Sequence, residues 1–125
     1  MTVKINTKDG LIELSDDVIA TVVGGSATEI FGVVGMASKS AIKDNFQSLL
    51  RKENYAKGVV VKSTDRGISV DVYTVMSYGV KISEVSKNIQ ERVTFNLESQ
   101  LGLTADMVNV YVQNIKVLSL IHISE

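Results

Sequence analysis

The sequence predicts an α+β domain: helices packed on a small mixed sheet of three to four strands, laid out as a hairpin, a long helix and a return strand. Three observations carry that expectation. From Gly67 to Ser77, Ile68, Val70, Val72 and Met76 alternate with Ser69, Asp71, Tyr73 and Ser77, the period of a strand with one buried face. After Tyr78-Gly79 the period changes, and Ile82, Val85, Ile89, Val93, Leu97 and Leu101 form an apolar stripe on a helix of roughly five turns. Upstream, Val59 to Ser63 reaches the alternating strand through Thr64-Asp-Arg-Gly67, a glycine-containing hairpin connection.

The remaining elements follow in chain order. Asp9-Gly10 signals a turn, Leu11 to Leu14 a short strand, and Ser15 a helix cap ahead of Asp16 and Asp17, whose charges suit a helix amino end. Val18, Ile19, Val22, Val23, Ala27 and Ile30 make the buried stripe of that helix. Gly24-Gly25 interrupts it, which implies either a close backbone contact or a bend. Phe31 to Met36 reads as a short strand or a glycine-rich crossing. A second helix is expected from about Ser38 to Glu53, with Ala41, Ile42, Phe46, Leu49 and Leu50 inward. Gly102 ends the long helix, and Val108 to Val117 returns as a strand. If it runs parallel to the first strand in the same sheet, a right-handed crossover is expected.

A chain of 125 residues sits in the single-domain range and can bury a core without staples. The last eight residues, Leu118-Ser-Leu-Ile-His-Ile-Ser-Glu125, read like the in-frame translation of a transposon-based sequencing-library adapter. They are set apart from a domain of residues 1–117, and His122, the only histidine, goes with them. With Glu125 set aside, acidic and basic residues balance. Such a charge disfavours nucleic acid and a polybasic membrane contact, both of which want a clustered positive surface. The densest basic group, Lys39, Lys43, Arg51 and Lys52, is interleaved with Asp44 and Glu53 and reads as a solvated helix face.

No cysteine is present, so disulfides, thiolate nucleophiles and cysteine metal sites are excluded. The amino terminus has no apolar run of signal-peptide length, and nowhere do about 20 apolar residues run together. The expected location is cytoplasmic, without direct membrane insertion. With no histidine before residue 118, the commonest general base and the Ser-His and Cys-His pairs are missing too. Ser40-Ala-Ile-Lys43 matches a Ser-x-x-Lys pattern but lacks its companion elements, and Asp16-Asp17 lacks calcium-loop company. No catalytic, cofactor or metal residue is assigned.

Two patterns bear on binding. Gly32-Val-Val-Gly35 is similar to the Gly-x-x-Gly loop of K-homology RNA-binding domains, although its middle residues would turn apolar groups towards phosphate; close backbone packing is the competing reading. The aromatic residues fall singly, mostly on expected core or sheet faces. Tyr73 and Tyr111 share the polar side of their strands with Asp71, Asn109 and Gln113. A face made of Tyr73, Val75, Tyr111, Gln113 and Ile115 is therefore a candidate protein-contact surface, unless another element simply covers it.

Several strings together resemble one family: Tyr78-Gly79-Val80, Glu84-Val85, Asn88-Ile89-Gln90-Glu91-Arg92-Val93 and Val110-Tyr-Val-Gln113, with Gly10-Leu-Ile-Glu-Leu-Ser-Asp-Asp-Val-Ile19 and Gly32-Val-Val-Gly-Met-Ala37 upstream. They are similar to the alkaline shock protein family of Gram-positive envelope stress proteins, in its short class. Ser83 stands where many relatives carry proline; serine also caps helices, so the helix start is not in doubt. The resemblance implies a non-enzymatic role in envelope stress and homeostasis through protein contacts. The implied partners are a small membrane anchor protein, a neighbouring kinase of the fatty-acid or dihydroxyacetone type, or further copies of the chain. The alternative is a K-homology-like RNA-binding module or a regulatory accessory to such a kinase.

Overall fold

The computed structural model describes residues 2–38 and 52–116. The expected second helix falls mostly outside the described residues, as do Ser40, Lys43 and the segment 118–125. In order, the elements are β1 (Thr2–Thr7), β2 (Gly10–Ser15), α1 (Asp16–Thr28), β3 (Val33–Met36), a 3-10 segment (Lys52–Gly58), β4 (Val59–Thr64), β5 (Gly67–Ser77), α2 (Ile82–Asn96), a wide helical turn (Leu97–Leu101) and β6 (Ala105–Lys116). This is the predicted α+β architecture, with one addition: β1 and β2 form a separate antiparallel ribbon, paired from Thr2↔Ser15 to Thr7↔Gly10.

The main sheet is built around β5. Antiparallel β4 pairs with its first half, from Gly67 to Val72, and antiparallel β3 with its second, from Thr74 to Met76. Parallel β6 runs alongside both halves, so β4 and β3 must share one edge of β5 while β6 takes the other. The parallel pairing makes β5–α2–β6 the expected crossover unit. Its glycine joint is specific: Gly67 has φ +144°, and a Cβ there would run into the Thr104 carbonyl, the same carbonyl that accepts the Ile68 N–H at 3.0 Å.

Both described helices lie on the Ile68/Val70/Val72/Met76 side of β5, where Ile19, Val23, Ile89, Val93 and Leu97 are fully buried with them. Ser15 caps α1 by accepting the Val18 N–H at 3.3 Å, and Asp16 and Asp17 occupy the first turn, as the sequence indicates. The stripe itself is rotated slightly: Ala20 and Ser26 are buried, whereas Val18 is exposed. Ser26 is tolerated there because its Oγ donates to the Val22 carbonyl at 2.7 Å and accepts from Asn96 Nδ2 at 2.7 Å. Of the two explanations for Gly24-Gly25, close approach holds at Gly24, since a Cβ there would lie 2.8 Å from Tyr55 Cβ. Gly25 faces open space. On α2 the stripe is as expected at its centre, while Ile82 is exposed at the first turn.

Candidate functional site

The side of the sheet away from α1 and α2 carries the tyrosines. Parallel register sets Asp71 against Asn109 and Tyr73 against Tyr111, so equal-numbered steps along the two strands place like groups side by side. Asn109 Nδ2 donates to Asp71 Oδ1 at 2.9 Å. The two tyrosine rings stack with centroids 4.8 Å apart and planes 14° from parallel. Beneath them, buried Thr74 Oγ1 donates to the Tyr111 carbonyl at 3.2 Å, which ties the strands together at this level. Burial, with the Asp71 carboxylate and then Tyr111 adding to it, holds the Tyr73 hydroxyl proton above the ordinary phenol range.

The five residues of the candidate surface do not contribute equally. Tyr73 is 9% exposed and Val75 2%, so neither offers much area to a partner; Tyr111 is 41% exposed. Gln113 is half-buried. Ile115 falls opposite Met76, not Ser77, because a bulge after the Thr74↔Val112 pair adds one residue to β6. Simple two-residue alternation from Tyr111 to Ile115 does not hold across that bulge. Met107, in register with Ser69 on the tyrosine side, is exposed and adds apolar area that the alternation had not singled out.

The Gly32–Gly35 segment is not a loop. Val33 to Met36 is a strand paired to β5, with Val33↔Met76 and Gly35↔Val75 in register. Gly32 has φ +103°, and a Cβ on it would press on Val85 and Val80 at 3.0 and 3.3 Å, so close packing accounts for it. The aromatic residues also correct an expectation: Phe31 and Phe95 lie on no core or sheet face and stand 91% and 64% exposed. A signal for Phe95 was available, since it lies about 200° around the helix from Val93. Among the described residues, no three carboxylates or histidines are grouped to hold a metal ion.

A model of the alkaline shock protein 23 family, described as having a cell envelope-related function, matches residues 4–117. The chain belongs to this family. Spy1614, an uncharacterized protein of Streptococcus pyogenes serotype M6, is 98% identical over 118 residues, covering 94% of this chain and 98% of its own length. YloU of Bacillus subtilis, also uncharacterized, is 46% identical over 117 residues, with coverages of 94% and 98%. YqhY of the same species, likewise uncharacterized, is 32% identical over 113 residues, covering 89% of this chain and 81% of its own length. No solved structure matches the chain. The family match bears out the resemblance carried by the Tyr78-Gly79-Val80 and Asn88 to Val93 strings. Among the described residues, no helix is long and apolar enough to cross a membrane.

Proposed function

We propose that the chain acts without chemistry of its own, by binding other proteins at the cell envelope in envelope homeostasis and stress response. The observation that carries this reading is the Tyr111 ring, 41% exposed and held in place by stacking at 4.8 Å on buried Tyr73. A ring fixed in advance loses little rotamer freedom when a partner covers it, and its apolar area and polar tip suit a protein surface. The family's envelope-related function supplies the setting. A cytoplasmic chain would reach the membrane through a partner, either a small membrane anchor protein or a neighbouring kinase bound there, or would assemble with its own copies.

The test is a crosslinking pull-down from a streptococcal host, with Tyr111→Ala as the matched control, beside a deletion strain assayed for envelope integrity. Expected are a protein partner lost with Tyr111→Ala and an envelope defect on deletion. A purified chain that turns over a substrate, with activity abolished by one side-chain change, overturns the proposal. No observation favours the K-homology alternative, because the glycine pair that suggested it sits in and beside a paired strand.

A further inference from the structure

Phe31 and Phe95 form a second surface, remote from the tyrosines. Phenylalanine is commonly buried, and two such exposed rings together leave roughly 300 Å2 of apolar area in water. Phe31 stands in the turn after α1 and Phe95 on the outer side of α2, and both line one open groove of 580 Å3 with Ile30, Asn88 and Glu91. Phe31 also borders an adjoining hollow of 300 Å3 with Val80 and Asn88. Phe95 borders another of 420 Å3 with Glu91 and Glu98. The shared residues join the three hollows into one track.

Along α2 and into the wide turn that continues it, the track follows Glu84, Asn88, Glu91, Phe95 and Glu98, whose alternating steps of four and three residues keep them on one helical stripe. From Glu84 to Glu98 that stripe is about 20 Å long, the length of a four-turn helix. Its charge is one-sided. Among the residues lining the track, Arg92 is matched by Glu29 at 3.9 Å, which leaves Lys81 at one end against the carboxylates of Glu84, Glu91 and Glu98, with exposed Lys87 beside the track one turn from Glu84 and Glu91. Such a surface repels phosphate, whether of lipid or nucleic acid. Two rings are also too little for a standard dimer interface, which takes about 800 Å2 from each partner, but are enough to anchor a single segment.

We propose that this track docks an amphipathic segment of another protein, whose apolar side chains seat on Phe31 and Phe95 and whose lysines or arginines meet Glu91 and Glu98. The proposal extends the protein-contact reading to a surface of its own. Its test places the photo-crosslinking amino acid p-benzoylphenylalanine at position 95 of the full chain in streptococcal cells, with position 62, exposed on β4, as control; the crosslinked peptide is then sequenced. The expected product is a peptide of a different protein carrying an apolar run with lysine or arginine within two helical turns. Its yield should fall threefold to tenfold in a Glu91→Lys, Glu98→Lys chain whose melting curve is unchanged, an effect of about the size expected from reversing two exposed charge pairs. A crosslink to a second copy, to lipid or to an acidic peptide overturns the proposal, and so does the absence of a product specific to position 95. A deletion strain with an intact envelope would remove the envelope role and leave this contact standing.

Discussion

Adjacent glycines in one helix should respond to the same substitution with opposite signs. Gly24 and Gly25 both lie inside α1, so replacing either by alanine gains about 1 kcal/mol of helix propensity. At Gly25 nothing lies within 4 Å of the new Cβ, and the gain should be realised in full. At Gly24 the Cβ would lie 2.8 Å from Tyr55 Cβ and 3.4 Å from the Tyr55 carbonyl oxygen. Tyr55 Cβ is fixed to its backbone and cannot rotate aside, so the 3-10 segment has to move; overpacking of that kind costs about 1–3 kcal/mol. Gly24→Ala should therefore be less stable than the parent by about 1 kcal/mol, and Gly25→Ala more stable by about the same, which separates their melting midpoints by about 8 °C at roughly 4 °C per kcal/mol. Differential scanning calorimetry reads the gap. Two midpoints that rise together would refute the claimed packing of α1 on the Tyr55 segment.

Other substitutions test separate parts of the fold. Gly67→Ala sets a side chain at φ +144° against the Thr104 carbonyl and should cost at least about 2 kcal/mol in urea unfolding; a near-neutral result would disprove the tight joint between the β4–β5 turn and β6. The Asn96–Ser26 bond at 2.7 Å is the buried polar tie between α2 and α1, so a double-alanine cycle should return a coupling of about 1 kcal/mol, and zero coupling would sink the bond. For Tyr73, the folded state holds the phenol proton more tightly than the unfolded chain does. That stability is fully present below the ordinary phenol value of about 10 and is lost as pH rises through the higher folded value. The stability of Tyr73→Phe should therefore fall less steeply than that of the parent above pH of about 10; equal slopes would show that Tyr73 is not buried as described.

The sequence made legible whatever depends on local chemistry or on period. The Ser15 cap, the β4–β5 hairpin and the centre of the α2 stripe each follow from a few neighbouring residues and stand where expected, whereas the β5 alternation holds only to Val72, since Tyr73 to Met76 are buried on both faces. Non-local facts were hidden. Nothing near Gly24 in the chain announces Tyr55, and nothing near Thr74 announces the Tyr111 carbonyl that satisfies its buried hydroxyl. β1 offers only Val3 and Ile5 as apolar residues, and it becomes a strand by pairing with β2. At the candidate surface, alternation placed Tyr73 and Tyr111 on the polar side of their strands without showing that they pair; the parallel register sets them side by side, and an inserted residue in β6 disturbs the alternation beyond them. Exposure was harder still to foresee, because an aromatic residue in a turn, such as Phe31, is buried or bare according to what crosses above it.

The two surfaces lie on opposite sides of the molecule, and that arrangement makes a claim of its own. Tyr111 projects from the sheet face opposite α1 and α2, whereas Phe95 sits on the side of α2 opposite the buried Val93 and Leu97. A sheet layer and a helix layer separate them, and a helix alone is about 10 Å across. Perturbations more than about 10 Å apart with no shared partner usually add independently. Tyr111→Ala should then abolish one contact and leave the position-95 crosslink at its parental yield, while Phe31→Ser should lower that crosslink and leave the pull-down unchanged. Loss of both contacts from either change, with the fold intact by circular dichroism, would mean that a single partner spans the domain. Independent losses would mean that the domain joins two partners across one rigid sheet, as expected of a linking component at the envelope.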